Sequence, residues 1–410
     1  MAMEMTRRQG LLLGAAAGAA GLVAPTRARA GKSGPYDVAV VGAGVFGAWS
    51  AAMLARRGLR VALVDQYGPA NARASSAGES RVTRLSYGGD TIYSAMALES
   101  LAEWQALSDR SALPLLHRTG VLWFSPDADR YMASSIAWLE ANGRTFWRGD
   151  AAMLRERFPQ IRFEDGEAGF VEAETGALMA GRAVQSLIAD AGLAVIHAEA
   201  GAPQRLSSGS WQVCDGVEAG KVVYACGPWL GKLFPEVLAG RIVPTRQEVL
   251  HFGSAAGDDR FKSPALPVWA DFNGGEIVYG LPDLEQQGFK IAFDKHGAEV
   301  DPDTQDRRVA AETVEAARDY LSRRFPDLAS APLVHSRVCQ YENSSNGDFL
   351  IDRLPGYDDI WLVGGGSGHG FKHGPAVGRR VADHITDAAL PIEPRFSLAT
   401  KGTVAARSVY

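Results

Sequence analysis

Tyr36-Asp-Val-Ala-Val-Val41 runs without a break into Gly42-Ala-Gly44-Val-Phe-Gly47, and no other stretch of the 410 residues limits the fold so narrowly. The first six residues make a nearly continuous apolar strand, of the kind buried on both faces of a parallel sheet. Ala48 to Arg57 reads as a helix with Ala51, Ala52, Leu54 and Ala55 on one face, stopped by Gly58. Arg60-Val-Ala-Leu-Val-Asp65 then supplies a second strand that ends in an acid, 23 positions after Gly42. Together they complete a βαβ unit, so the chain is expected to be α/β around a Rossmann-type sheet. Each glycine has a mechanical reason: Gly42 permits the tight turn, Gly44 lets a pyrophosphate approach, and Gly47 lets helix and strand pack closely. The helix N-terminus faces the phosphates and Asp65 accepts from ribose hydroxyls. The unit predicts dinucleotide binding and leaves the dinucleotide open.

Beyond this unit the periodicity changes. Residues 91 to 108 read as a helix, and His117 to Phe124 alternates like a strand of an antiparallel sheet. Ala183 to Ala191 is a further helix, and Lys221 to Tyr224 a buried strand leaving through Cys226-Gly-Pro. Short strands follow at Glu248 to Phe252, Leu266 to Ala270, Glu276 to Tyr279 and Phe289 to Phe293, separated by Gly, Pro and Asn turns. A helix is expected over Thr304 to Phe325, then a strand over Ile360 to Val363 and a helix from Gly374 to Ile385. The strand exit Gly364-Gly-Gly366-Ser-Gly368-His369-Gly370-Phe-Lys372 is dense in glycine, which brings backbone unusually close to something flat or anionic.

The N-terminus reads as a targeting segment. Thr6-Arg7-Arg8-Gln9 opens an apolar run from Leu11 to Val23, closed by Ala28-Arg-Ala30, which matches a twin-arginine export signal. Its 13 apolar residues fall short of the ~20 that span a bilayer, so no stable membrane anchor is expected. Removing it takes away four arginines and one glutamate, so the net charge of −5 becomes about −8, which gives no reason to expect nucleic acid as a partner. Cys214, Cys226 and Cys339 are odd in number and lack metal-ligand spacing, so neither a disulfide framework nor a metal site is predicted.

Five motifs in order carry a resemblance: Ser75-Ser-Ala-Gly-Glu-Ser-Arg81-Val-Thr-Arg84, Tyr279-Gly-Leu-Pro282, Lys290, Cys339-Gln-Tyr341 and Ser367-Gly-His-Gly-Phe-Lys372. From about Tyr36 to Pro394 the chain resembles monomeric sarcosine oxidase and its relatives, FAD oxidases of N-methyl amino acids within the D-amino acid oxidase fold group. The resemblance implies an FAD-binding Rossmann-type domain, formed by 34–115, 182–240 and 335–392, interleaved with an antiparallel-sheet substrate domain of 116–181 and 241–334. Residues 1–30 are the signal and 393–410 a tail.

By the same resemblance Cys339 bonds covalently to FAD, although a free cysteine is more often a small buried hydrophobe. Lys290 is expected beside the flavin, where a fixed cation stabilises reduced oxygen. Arg84 and Lys372 match a pair that grips the substrate carboxylate, Arg81 a flavin-side arginine, and Tyr279 and Tyr341 the substrate cavity. His369 is expected to position its neighbours rather than act as a base, and Gly366, Gly368 and Gly370 approach the flavin. Asp294 departs from the sarcosine-oxidising pattern, which has a histidine there, so the amine is left open.

The leading expectation is an oxidase of a secondary amine or N-methyl amino acid that returns its flavin with O2 and yields hydrogen peroxide. The alternative is an exported FAD dehydrogenase that passes electrons to a quinone or carrier protein. A binding protein without turnover would need neither Cys339 nor Lys290, and an NAD dehydrogenase would leave the second glycine segment unexplained. The expected partners are the small-molecule amine, O2 and the twin-arginine machinery, with the enzyme periplasmic or extracellular and monomeric.

Overall fold

Parallel strands Tyr36–Val41, Val61–Val64 and Val217–Tyr224 lie side by side, with the first in the middle. Alternate side chains serve two cores: Val38, Val40 and Leu63 join one apolar cluster, Ala39, Val41 and Val64 the other. Burial on both faces explains why the strand reads as apolar throughout. The computed structural model describes residues 34–126, 129–273 and 277–403, and all that follows concerns the unit from Pro35 onward. The signal expected at 1–30 lies outside the described residues. Among the described residues no helix is long and apolar enough to cross a membrane.

The central sheet continues through Val195–Ile196 on one side. On the other, Val217–Tyr224 pairs at its start with Trp211–Cys214 and at its end with Ile360–Gly364. Helices Val45–Arg56, Thr91–Arg110, Ala180–Asp190 and Gly374–Thr386 contribute to the first core. A second sheet of eight strands runs from Leu333–Ser344 through Ile242–Phe252, Phe289–Asp294, Ile277–Leu281, Val268–Asp271, Val121–Pro126 and Glu167–Glu172 to Phe146–Asp150. Its face carries Trp269 and Phe289, against which Tyr320 and Phe325, at the end of the helix Ala311–Arg324, pack. Beneath them Arg324 donates to both Glu167 (2.6 Å) and Asp271 (2.9 Å), and Tyr320 to Asp271 (2.8 Å).

Five local expectations need correction. The second sheet is not wholly antiparallel, because Val268–Asp271 returns parallel to Val121–Pro126. His117 to Phe124 is not one strand: Gly120 takes φ +77°, so Leu116–His117 and Val121–Pro126 enter different sheets. The helix expected from Thr304 begins only at Ala311, because the Arg246 guanidinium takes the carbonyls of Asp306 and Arg308. Residues 393–403 are not a loose tail: Phe396 is buried in the first core and Arg395 pairs with Asp90 (2.6 Å) and Asp348 (2.7 Å). The segment from 335 also begins inside a strand of the second sheet and joins the nucleotide sheet only at Leu350.

Candidate functional site

Where the two sheets meet, a cavity of about 360 Å³ opens at the C-terminal ends of the parallel strands. The phosphate-loop glycines form one end. Gly42 has φ +101° and sits so tightly on the next strand that a Cβ would lie 2.3 Å from the Ala225 carbonyl oxygen. Gly47 packs behind it, where a Cβ would be 1.8 Å from the Gly42 carbonyl oxygen, so it shapes the turn without lining the cavity. Gly44 faces the cavity and N-caps the helix Val45–Arg56 without a side-chain cap. Ser76 closes the turn by accepting from the Val45 N–H (2.9 Å). Asp65 accepts from the backbone N–H groups of Ala43 (2.7 Å), Tyr67 (3.0 Å) and Gly68 (2.7 Å). A carboxylate offers roughly four acceptor positions, so Asp65 braces the loop and keeps room for one hydroxyl.

The opposite end is built by the second sheet. Cys339 lines the cavity from the strand Leu333–Ser344, its sulfur 3.8 Å from the Arg81 guanidinium. Arg81 is held by the carbonyls of Ser75 (2.7 Å) and Ala77 (2.6 Å). Lys290 is 3% exposed and donates to the Ser80 carbonyl (2.7 Å). Burial, helped by the Arg81 charge, lowers its amine to about 7.

A second cavity of about 80 Å³ adjoins the first, and Arg81, Tyr279, Lys290, Tyr341, Gly368 and Phe371 line both. Arg84 and Lys372 are buried in its wall. Arg84 donates to the Tyr131 hydroxyl (2.7 Å) and to the Ser86 carbonyl, with its guanidinium 3.9 Å from the Tyr87 ring centre. Burial opposes that charge, but Tyr131, Tyr87, Glu172 and Asp294 outweigh it and raise the Arg84 pKa. Lys372 donates to the Tyr87 hydroxyl (2.8 Å) and the His369 carbonyl (2.8 Å), and burial next to Arg84 holds its amine well below the ordinary lysine range. Tyr341 donates to Asp294 (3.0 Å), while burial pushes the Tyr279 hydroxyl up to about 12. Trp123, Phe272 and Ile277 give this cavity an apolar side.

Thus of the expected site residues, all but Gly47 line one or both cavities. His369 has Nε2 3.1 Å from the Gly347 carbonyl and stacks on Phe349, a positioning arrangement. The second glycine segment is used differently from the expectation. A Cβ on Gly364 would lie 2.3 Å from Glu342 Oε1, and one on Gly368 2.7 Å from the Tyr341 ring. These two make room for the chain's own side chains, while Gly366, Gly368 and Gly370 line the larger cavity. Glu342, Tyr131 and Phe272 escaped the sequence reading. Only the run of polar residues after Tyr341, unusual for a buried strand, signals the first of them.

The family described as FAD dependent oxidoreductase matches residues 37–384. N-methyl-L-tryptophan oxidase of Salmonella heidelberg (strain SL476) is 29% identical over 377 residues, covering 88% of this chain and 97% of that protein. Among solved structures, NikD, an unusual amino acid oxidase essential for nikkomycin biosynthesis, superposes with a TM-score of 0.73 at 21% identity, covering 89% of this chain and 98% of that one. Glycine oxidase from Geobacillus kaustophilus gives 0.72 at 22% identity, covering 89% and 99%. The residues present fit FAD: Gly44 and the uncapped helix start suit the pyrophosphate, Asp65 a ribose, and the wall of Arg81, Lys290 and Cys339 the ring system.

Proposed function

We propose that this chain, which belongs to the FAD dependent oxidoreductase family, oxidises an amino acid with a secondary amine, such as an N-methyl amino acid, and uses O2 as the acceptor, forming hydrogen peroxide. One observation carries this reading: two buried basic side chains, the Arg84 guanidinium and the Lys372 amine, sit in a small cavity that shares a wall with the larger one. Buried charges need partners, and a substrate carboxylate supplies one to both. Arg84 offers a planar fork and Lys372 a point charge. When bound, FAD supplies the acceptor for a hydride from the carbon next to the amine nitrogen. The imine left on the substrate hydrolyses in water.

The other residues take supporting roles. Trp123, Phe272 and Ile277 exclude water and favour an apolar substrate side chain. Asp294, held by Tyr341, adds a carboxylate to this cavity and favours a substrate that presents a further N–H or cation. Lys290, whose amine titrates at about 7, is partly charged near neutral pH at the shared wall, and that charged form stabilises oxygen as it gains charge. Cys339, on the same wall, is the residue that tethers the cofactor covalently, and the segment 1–30 exports the folded enzyme.

Peroxide release from N-methyl amino acids, cyclic imino acids and glycated amino acids tests the reading, with Lys290→Met as the control. Peroxide formed with at least one carboxylate-bearing secondary amine, and slowed at least tenfold in the variant, is expected. Turnover only with an artificial electron acceptor overturns the assignment of O2, and full peroxide rate in Lys290→Met overturns the oxygen-activating role of Lys290. Flavin that leaves entirely with the supernatant after acid precipitation removes the covalent tether.

A further inference from the structure

Glu342 is a buried acid for which the proposed reaction has no use. It follows Tyr341 on the strand Leu333–Ser344 and therefore points to the opposite face from Cys339 and Tyr341. It is 7% exposed and lines the larger cavity, yet its Oε1 has no hydrogen-bond partner. The carboxyl sits in the notch left by Gly364, next to the amides of Gly365 and Gly366. Cys226 is its neighbour on the other side, and Cys226 adjoins Gly42 of the phosphate loop. Glu342 thus stands between the phosphate end of the cavity and the wall of Cys339, Arg81 and Lys290.

Oε1 is packed into the Gly364 notch, and the carboxyl has the Gly365 and Gly366 amides but no cation beside it, so hydroxyls filling the cavity would offset part of the cost of burying this acid. The part of FAD that spans these two ends is the ribityl chain, whose hydroxyls both give and accept hydrogen bonds. We propose that Glu342 is a cofactor-binding residue whose carboxyl group exchanges hydrogen bonds with the ribityl hydroxyls of FAD. Burial pushes its carboxyl up to about 7, against the pull of the Gly365 and Gly366 amides, so both protonation states are accessible at neutral pH. A hydroxyl suits either state, whereas a phosphate would suit only the protonated one.

The test is FAD binding by the full-length chain carrying Cys339→Ser, so that binding is reversible, with Glu342 intact or replaced. ADP, which has the pyrophosphate but no sugar beyond it, is the second probe. Glu342→Leu should raise the Kd for FAD at least tenfold and leave that for ADP within threefold. Glu342→Gln, which keeps both hydrogen-bonding functions, should stay within threefold for both. Should the leucine variant fail to fold, Glu342→Thr, too short to reach, takes its place with the same expectation. Unchanged FAD affinity in the leucine or threonine variant overturns the proposal, and equal weakening of FAD and ADP overturns the ribityl assignment in favour of the phosphates. Binding with Glu342 intact reports occupancy of the cavity by itself, so its failure is distinct from loss of this contact.

Discussion

Replacing Lys290 by methionine should stabilise the flavin-free protein near neutral pH, by an amount that shrinks as the pH rises. The amine is 3% exposed and its pKa falls from the ordinary 10.5 to about 7, chiefly through burial. Between these two values the unfolded chain holds the proton and the folded chain has released it, so the parent gains stability as the pH rises through that window. A tenfold change in proton affinity is worth about 1.4 kcal/mol, which puts the charged-lysine penalty at roughly 4 kcal/mol near pH 7 and about 2 kcal/mol near pH 9. Methionine also leaves the Ser80 carbonyl without its donor, a loss of about 1–3 kcal/mol that does not vary with pH. The net gain near pH 7 is then about 1–3 kcal/mol, while the fall of about 2 kcal/mol between pH 7 and 9 depends only on the titration. Urea unfolding of parent and variant, followed by tryptophan fluorescence at the two pH values, measures that fall. A difference between the proteins that stays flat with pH would show that Lys290 keeps its proton in the fold, and would refute the argument.

Three further outcomes are expected. Arg84→Lys keeps the charge but loses the planar guanidinium, one of whose terminal nitrogens donates to both Tyr131 and Ser86, and should raise KM for a carboxylate-bearing amine about 10- to 100-fold with a smaller change in kcat, read from steady-state peroxide release. Arg324→Met strands Glu167 and Asp271 as uncompensated buried acids and should destabilise by about 3–5 kcal/mol in urea unfolding, while the bound-flavin spectrum is unchanged. Gly47→Ala forces a Cβ to within 1.8 Å of the Gly42 carbonyl oxygen, and the expected result is protein that purifies without flavin, checked by the ratio of visible to ultraviolet absorbance.

Much of the nucleotide half was legible because its signals are local. The strand, glycine turn, helix and closing acid from Tyr36 to Asp65 lie within thirty residues, and each glycine's role follows from its place in that turn. Errors appeared where a distant residue decides. The helix start near 304 was misread because Arg246, far back in the chain, captures the carbonyls that would have opened it. Phe396 and Arg395 read as part of a loose end because the partners that bury and pair them, Tyr93, Asp90 and Asp348, come from other segments. Leu333-Val-His-Ser-Arg-Val338 carries too weak an apolar pattern to announce a strand, and only pairing with Ile242–Phe252 puts the Cys339 thiol on the second sheet.

The same division holds at the site. By itself the sequence determined the dinucleotide turn, the family motifs and the kinds of charge available, because these depend on residue type and short spacing. Only the tertiary structure decided that Arg84 and Lys372, 288 positions apart in the chain, share one buried cavity, and that Lys290 stands in the wall common to both cavities. It also turned Gly364 from an approach to a flat ligand into the notch that holds Glu342. Burial is the physical reason: desolvation makes Lys290 and Glu342 titrate near neutrality, and no spacing rule reports how much water a fold will remove.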